Sequence, residues 1–414
     1  MRRNCLLAAA AVILPLGACS FTEATDENSA APAEVANAPA VGAGMSSNDA
    51  QVGPAEDKPR PLMQAQVVLD RIGFTPGVVD GKMGVSTVNA IKGFQEARGM
   101  KITGELDDPT KQALAQWKQI PATRVVTIPA DFANEAYVAI PEDRKEQAKL
   151  EAMGYANLGE KLAERFHTTE AVLAQLNPQL AGGVAPTAAA GGDNSMTENS
   201  ASPVEGNEAG ADGNSAADTN MMGTSPDGEA AKPKLNYRAG MQLRVPNVGA
   251  DRFDPAAVKD QKWSSTLQML GVGTEQPQAA SIEVDKSDQV LRVLDKQGKL
   301  LAQFTATMGS SKFPLPIGTW KIKGTAYNPP WQYDPKLLAN ADKSDPILQI
   351  PAGPNNPVGV VWIDLSKEHY GIHGTDSPDR IGRAESNGCI RLTNWDAARL
   401  AQMLKSGTQA VFKA

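Results

Sequence analysis

The sequence predicts a multidomain chain: a small all-α bundle, a middle module whose two helices precede a low-complexity insertion, and a mostly-β C-terminal domain. Three observations predict it. Helical periodicity starts at Pro61, after a run with almost no large apolar residues. Residues 181–234 carry no Lys or Arg until Lys232 and few large apolar residues, a composition that cannot bury a core and is expected to be disordered. From Ser281 the pattern changes from helical to alternating. The expected boundaries are an export signal over 1–18, a flexible tether over 19–58, the bundle over 59–120, the middle module over 121–250, a linker over 251–277 and the β-domain over 278–414. A chain of 414 residues is long enough for several domains, and its formal charge of −7 argues against a nucleic-acid partner bound through a broad basic face.

At the N-terminus, Arg2 and Arg3 precede an apolar run over residues 5–18 that is too short to span a membrane. The run ends in "LGAC", residues 16–19, which resembles a bacterial lipobox. That resemblance implies cleavage before Cys19 and acylation of its thiol and amine, and acyl chains hold a soluble body on a membrane. Ser20, in place of Asp, resembles lipoproteins sorted to an outer membrane, so the expected location is the periplasm of a Gram-negative bacterium, lipid-anchored. Processing also removes Cys5, which leaves Cys389 as an unpaired thiol in an exported protein.

In the bundle, "PLMQAQVVLDRIGF" carries Leu62, Val67 or Val68, Leu69 and Ile72 at helical spacing, and a second helix from about Ser86 carries Val88, Ile91 and Phe94 on one face. A third opens with Asp108 as expected cap and Pro109 at its first position. The segment from Gly73 to Leu106, through Asp80, Gly81, Gly84, Thr87, Ala90, Phe94, Gln95, Thr103 and Gly104, resembles the peptidoglycan-binding domain found beside cell-wall enzymes. A stabilising bundle that binds no wall is the alternative.

The middle module predicts helices over 158–166 and 169–176, the second capped by Thr169 and closed by Asn177-Pro178. His167, between them, is expected to be a surface residue at a helix end. The segment resembles a LysM module, an α+β unit that binds N-acetylated glycan strands, with Gly240, Leu243, Val245 and Pro246 matching its closing segment. Its first strand is not evident in the sequence. In the β-domain, "SIEVDKSDQVLRVLD" and "GKLLAQFTATMG" read as strands about a "DKQG" turn, followed by strands in "IGTWKIKGTA", "VGVVWIDL" and "YGIHG". "TNWDAARLAQML" reads as an amphipathic helix with Asn394 as its cap, and "TQAVFK" as a closing strand.

The chemistry concentrates between His373 and Cys389. His369 and His373 have the spacing of a helical metal pair, but "HYGIHGT" alternates like a strand and offers too few ligands without carboxylates. A Cys–His pair suits nucleophilic catalysis better. Sixteen residues let a loop return and place them together, and a nearby imidazole raises the thiolate share of a thiol. Gly388 permits close backbone approach, amides near Cys389 suit an oxyanion, and a carbonyl at Gly374 or Thr375 suits fixing the imidazole. Composition and spacing alone leave an inert buried Cys beside a turn His equally open.

The stretches "IHGT…IGRAESNGCIRLTNWDAARLAQML…GTQAVF" and "ATMGSSKFPLPIGTWKIKGTAYNPPW" resemble the L,D-transpeptidase catalytic domain, the YkuD-type fold. The resemblance implies Cys389 as nucleophile, His373 as base, Gly388 and Cys389 amides as oxyanion hole, and Ser386 and Arg391 as shaping and substrate-carboxylate contacts. It implies attack on a peptidoglycan stem tetrapeptide, release of D-alanine and transfer to an amine, with no cofactor and no metal. Many members carry His where this chain has Asn387, which leaves an amide that orients groups without carrying a proton. The rival expectations are an L,D-carboxypeptidase, attachment of a lysine-bearing outer-membrane lipoprotein, and a non-catalytic tether between membrane and wall.

Overall fold

The computed structural model describes residues 58–180, 235–249, 252–338 and 341–414. The expected signal peptide, Cys19, the tether up to residue 57 and the insertion lie outside them.

In the first module α1 (Pro61–Arg71) opens on Pro61 at its first position and buries Val67, Val68 and Leu69. After β1 (Phe74–Thr75) comes α2 (Val85–Ala97), burying Ile91 and Phe94 against them, and then α3 (Asp108–Leu114). Two buried glutamines hold the turns between helices. Gln66 Oε1 accepts the backbone N–H groups of Asp80 and Gly81, and Gln95 Oε1 those of Thr103 and Gly104. The α3 cap is Asp107, one residue before the expected Asp108, because its carboxylate reaches the Thr110 N–H at 2.9 Å. Nor is the module all-α. Phe74 and Thr75 pair in parallel with Gln303 and Phe304 of the β-domain.

The middle module supplies the strand missed in the sequence, β2 (Thr123–Thr127), then single turns α4 (Ala130–Ala133) and α5 (Arg144–Gln147), α6 (Leu158–Arg165), α7 (Glu170–Leu176) and β3 (Gln242–Pro246). β2 and β3 pair antiparallel, so the module is a β-α-α-β unit with the insertion between α7 and β3. His167 is not at the surface. It is 0% exposed with a left-handed backbone (φ +50°), and its ring stacks on Trp395 at 4.7 Å. The left-handed turn ending α6 swings the ring inward, where Asp70 Oδ1 and the Leu270 carbonyl lie 3.2 Å from its two nitrogens.

The expected linker 251–277 contains a helix, α8 (Gln261–Leu270), capped by Asp260 and ended by left-handed Gly271. Trp263, Leu267 and Leu270 recur at helical spacing and enter the β-domain core. The segment 281–295 is two strands rather than one, β4 (Ser281–Asp285) and β5 (Val290–Leu294), because Gln289 turns left-handed at φ +55°. Then follow β6 (Leu300–Thr305), β7 (Thr307–Met308), β8 (Gly318–Tyr327), β9 (Trp331–Tyr333), β10 (Leu348–Ile350), β11 (Val361–Leu365), β12 (Gly371–His373), β13 (Ile390–Arg391), α9 (Asn394–Met403) and β14 (Gln409–Lys413). β9 and β10 form a small sheet, and the main sheet runs β1-β6-β5-β4-β14-β8-β11-β12-β13-β7. The α9 cap is Thr393, whose hydroxyl accepts from the Asp396 N–H, and not Asn394.

Candidate active site

Two short strands build the site. β12 and β13 pair in parallel, with Ile372 opposite Ile390 and His373 opposite Arg391. Side chains alternate along a strand, and the two isoleucines are fully buried in the core. Their neighbours therefore take the other face, so His373, Arg391 and Cys389 share it. Cys389, one residue before β13, is a diagonal neighbour of His373 on that face.

His373 is buried and stacks on Trp362, its register partner across β11, at 5.4 Å. Its Nδ1 lies 2.7 Å from the Gly374 carbonyl. A carbonyl only accepts, so Nδ1 carries the hydrogen and Nε2 presents a lone pair. Burial, with the Arg391 charge adding to it against the Gly374 hydrogen bond, lowers the pKa of His373 to about 3. The imidazole is therefore neutral at physiological pH. The half-buried Cys389 thiol lies 3.8 Å from the His369 carbonyl. Burial pushes its pKa above the ordinary value, while the Gly371 N–H and Arg391 pull the other way. The resting pair is thus thiol and neutral imidazole, because burial disfavours the charged form of each more than their neighbours favour it.

Ser386 organises the approach to Cys389. Its hydroxyl accepts from the Gly309 N–H at 2.7 Å and the Gly388 N–H at 3.2 Å, and donates to the Cys389 carbonyl at 2.5 Å. The Gly388 amide, expected to serve an oxyanion, is engaged here by Ser386 because the turn at 386–389 folds back on itself. Gly388 takes φ +99°, and a Cβ there would lie 2.7 Å from Tyr370 Cε1. Glycine is therefore required on two counts. Asn387 is half-buried between them. Arg391 is half-buried; its Nε has no hydrogen-bond partner among the described residues, and burial lowers its pKa despite the nearby Asp376 charge. Buried Thr375 donates its N–H to Asn394 Oδ1 at 3.2 Å.

The His369 side chain is exposed, on a left-handed backbone at φ +65°, and only its carbonyl faces the Cys389 thiol. Among the described residues no three His, Cys, Asp or Glu gather as metal ligands. Sequence reasoning missed Trp362, Tyr370 and Asn394. Alternation in "VWIDL" puts Trp362 on the face away from the core and so toward the β12 histidine, but the other two depend on tertiary approach.

Residues 279–412 match the model of the L,D-transpeptidase catalytic domain, and residues 61–114 match that described as "Putative peptidoglycan binding domain". The chain is 52% identical over 75 residues to "Putative L,D-transpeptidase YkuD" of Bacillus licheniformis, covering 18% of this chain and 46% of that protein. It is 30% identical over 185 residues to "Putative L,D-transpeptidase in ATP synthase subunits region ORF 5" of Fuscovulum blasticum, covering 42% of this chain and 96% of that protein. The chain thus spans less than half of the Bacillus relative and nearly all of the Fuscovulum one. The NMR structure of the catalytic domain from E. faecium L,D-transpeptidase is 20% identical, covers 32% of this chain and 95% of that one, and superposes with a TM-score of 0.25.

Proposed function

The chain belongs to the L,D-transpeptidase family, and from that premise we propose that it is a peptidoglycan L,D-transpeptidase with Cys389 as nucleophile and His373 as base. Cys389 Sγ attacks the carbonyl carbon between the third and fourth residues of a stem tetrapeptide while His373 Nε2 takes the thiol proton. Collapse breaks the C–N bond, and Nε2 returns the proton to the nitrogen of departing D-alanine. The side-chain amine of a neighbouring stem then attacks the thioester. Its proton passes through Nε2 to the leaving sulfur, and a 3→3 cross-link remains. The reading is supported chiefly by the β12–β13 register, which puts His373, Arg391 and Cys389 on one face.

The other residues take roles consistent with their surroundings. The Gly374 carbonyl, beside Thr375, holds the base. Ser386 shapes the nucleophile turn, and Asn387 orients groups beside it. The Cys389 amide serves the oxyanion, with Gly388 joining only on release from Ser386. Arg391 takes a substrate carboxylate, a role that its unpartnered Nε favours.

The same proposal covers the rest of the chain. Domain 61–114 docks on the wall, and the β-α-α-β unit over 121–250 is LysM-like and binds glycan. Cys19 is lipidated and holds the protein in the periplasm, on an outer membrane. A lysine-bearing outer-membrane lipoprotein is the alternative acceptor. Anchoring and docking raise the effective concentration of the site at its polymer.

The test is mass spectrometry of tetrapeptide muropeptides incubated with detergent-solubilised full chain, beside Cys389→Ala. Cysteine-dependent dimers lacking one D-alanine are expected. Tripeptide monomers alone make it a carboxypeptidase, and unchanged muropeptides count against stem-to-stem transfer and leave protein attachment or tethering.

A further inference from the structure

Asn394 opens α9 and is fully buried, yet it does not cap the helix. Its side chain instead joins three backbone segments beside the site. Oδ1 accepts the N–H groups of Val360, just before β11, and Thr375, just after β12, each at 3.2 Å. Nδ2 donates to the Pro354 carbonyl at 3.2 Å. The backbone makes room for this contact. A Cβ at Gly359 would lie 2.0 Å from Asn394 Oδ1, and one at Gly374 2.1 Å from it.

The Thr375 N–H and the Gly374 C=O belong to one peptide unit. That unit is planar and trans, so its N–H and C=O point in opposite directions. Fixing the N–H on Asn394 therefore aims the carbonyl, and this is the carbonyl that receives His373 Nδ1–H at 2.7 Å. A peptide that donates at one end is also polarised to accept more strongly at the other. We propose that Asn394 is a positioning residue for the base: through the 374–375 peptide it holds His373 in the Nδ1–H tautomer, leaving Nε2 free to take the Cys389 proton. The inference rests on reading His373 as the base, but its first readout needs no turnover.

The chain has three histidines, so ¹⁵N-histidine labelling of the full chain gives an assignable spectrum. In the wild type His373 is expected as the neutral Nδ1–H tautomer at pH 7. Asn394→Asp keeps the Oδ1 acceptor and should keep that tautomer. Asn394→Leu, of similar size without an acceptor, should populate the Nε2–H form. It should also slow acylation of Cys389 by a tetrapeptide by about tenfold to a hundredfold, with KM changed by less than about twofold. A folded Asn394→Leu chain that retains the Nδ1–H tautomer overturns the proposal. Asn394→Ala reads the same quantity if the leucine variant fails to fold. In the wild type itself, a Thr375 amide that exchanges quickly with solvent overturns it without any variant. If no muropeptide is turned over but the tautomer shifts as stated, the transpeptidase reading falls and the positioning role stands.

Discussion

At the scale of residues, the site depends on where water is excluded. Cys389 and His373 could be singled out in the sequence as a candidate pair, an unpaired thiol and a histidine sixteen residues apart, but spacing alone left an inert pair equally open and only the family resemblance favoured catalysis. Their charge state was not legible, since burial is a property of the assembled strands. A base with an ordinary pKa would lose its function near pH 6.5, the usual value for histidine. With His373 lowered to about 3 and burial pushing the Cys389 thiol up, acylation should instead show no decline around pH 6.5. Stopped-flow or quench measurements of thioester formation check this, and a decline centred near pH 6.5 would contradict it. The same depression makes His373 a source of acid sensitivity in the fold. The unfolded chain binds its proton below about 6.5 while the folded one resists it down to about 3, so stability from this group is lost as pH falls through that window.

At the scale of elements, regular patterns were readable and their ends were not. α9, β12 and β14 follow from periodicity, and α8 could have been found from Trp263, Leu267 and Leu270. Caps shifted by one residue at α3 and α9 because Asp107 and Thr393, rather than their neighbours, reach the free N–H groups. β2 escaped notice because its partner β3 lies beyond the insertion, more than a hundred residues away. Buried carboxyls on helices were equally hidden. Burial of Glu164 on α6 raises its pKa to about 8, against hydrogen bonds from Asn394 and Tyr155 that favour its charged form. A carboxyl with a raised folded pKa contributes stability that is present below its unfolded value, about 4.5, and lost as pH rises toward 8. Glu164→Gln should therefore leave stability nearly unchanged at pH 5 and gain on the wild type by pH 8, by up to a few kcal/mol on the order of that shift. Thermal melts at the two pH values check it; a pH-independent offset would show that Glu164 is not the source.

At the scale of the whole molecule, the sequence read as separate modules on linkers, and the described structure joins them. β1 of the first module extends the β-domain sheet, and the Asn89 carbonyl takes Gln303 Nε2–H at 2.6 Å across the same junction. Arg399 of α9 reaches Asp70 of α1 at 3.3 Å, and Asp70 reaches His167 of the middle module at 3.2 Å. Burial alone would raise the Asp70 pKa, yet Arg399 and His167 hold it well below the usual carboxylate range. None of this was visible in composition, because each group looks like an ordinary surface residue until its partners in other modules arrive. Calorimetry should therefore show the three modules unfolding in one transition. Removing residues 61–117 should lower the melting temperature of the β-domain by uncovering the β6 edge and the Arg399 charge. Three independent transitions, or a β-domain indifferent to the deletion, would contradict the joined architecture.

Whether Cys389 is the nucleophile is read from the intact mass of the full chain after brief exposure to a tetrapeptide stem. An adduct equal to the stem less D-alanine is expected, mapped by fragmentation to Cys389 and missing in Cys389→Ala. A chain that carries no adduct, or carries it on another residue, would contradict that role.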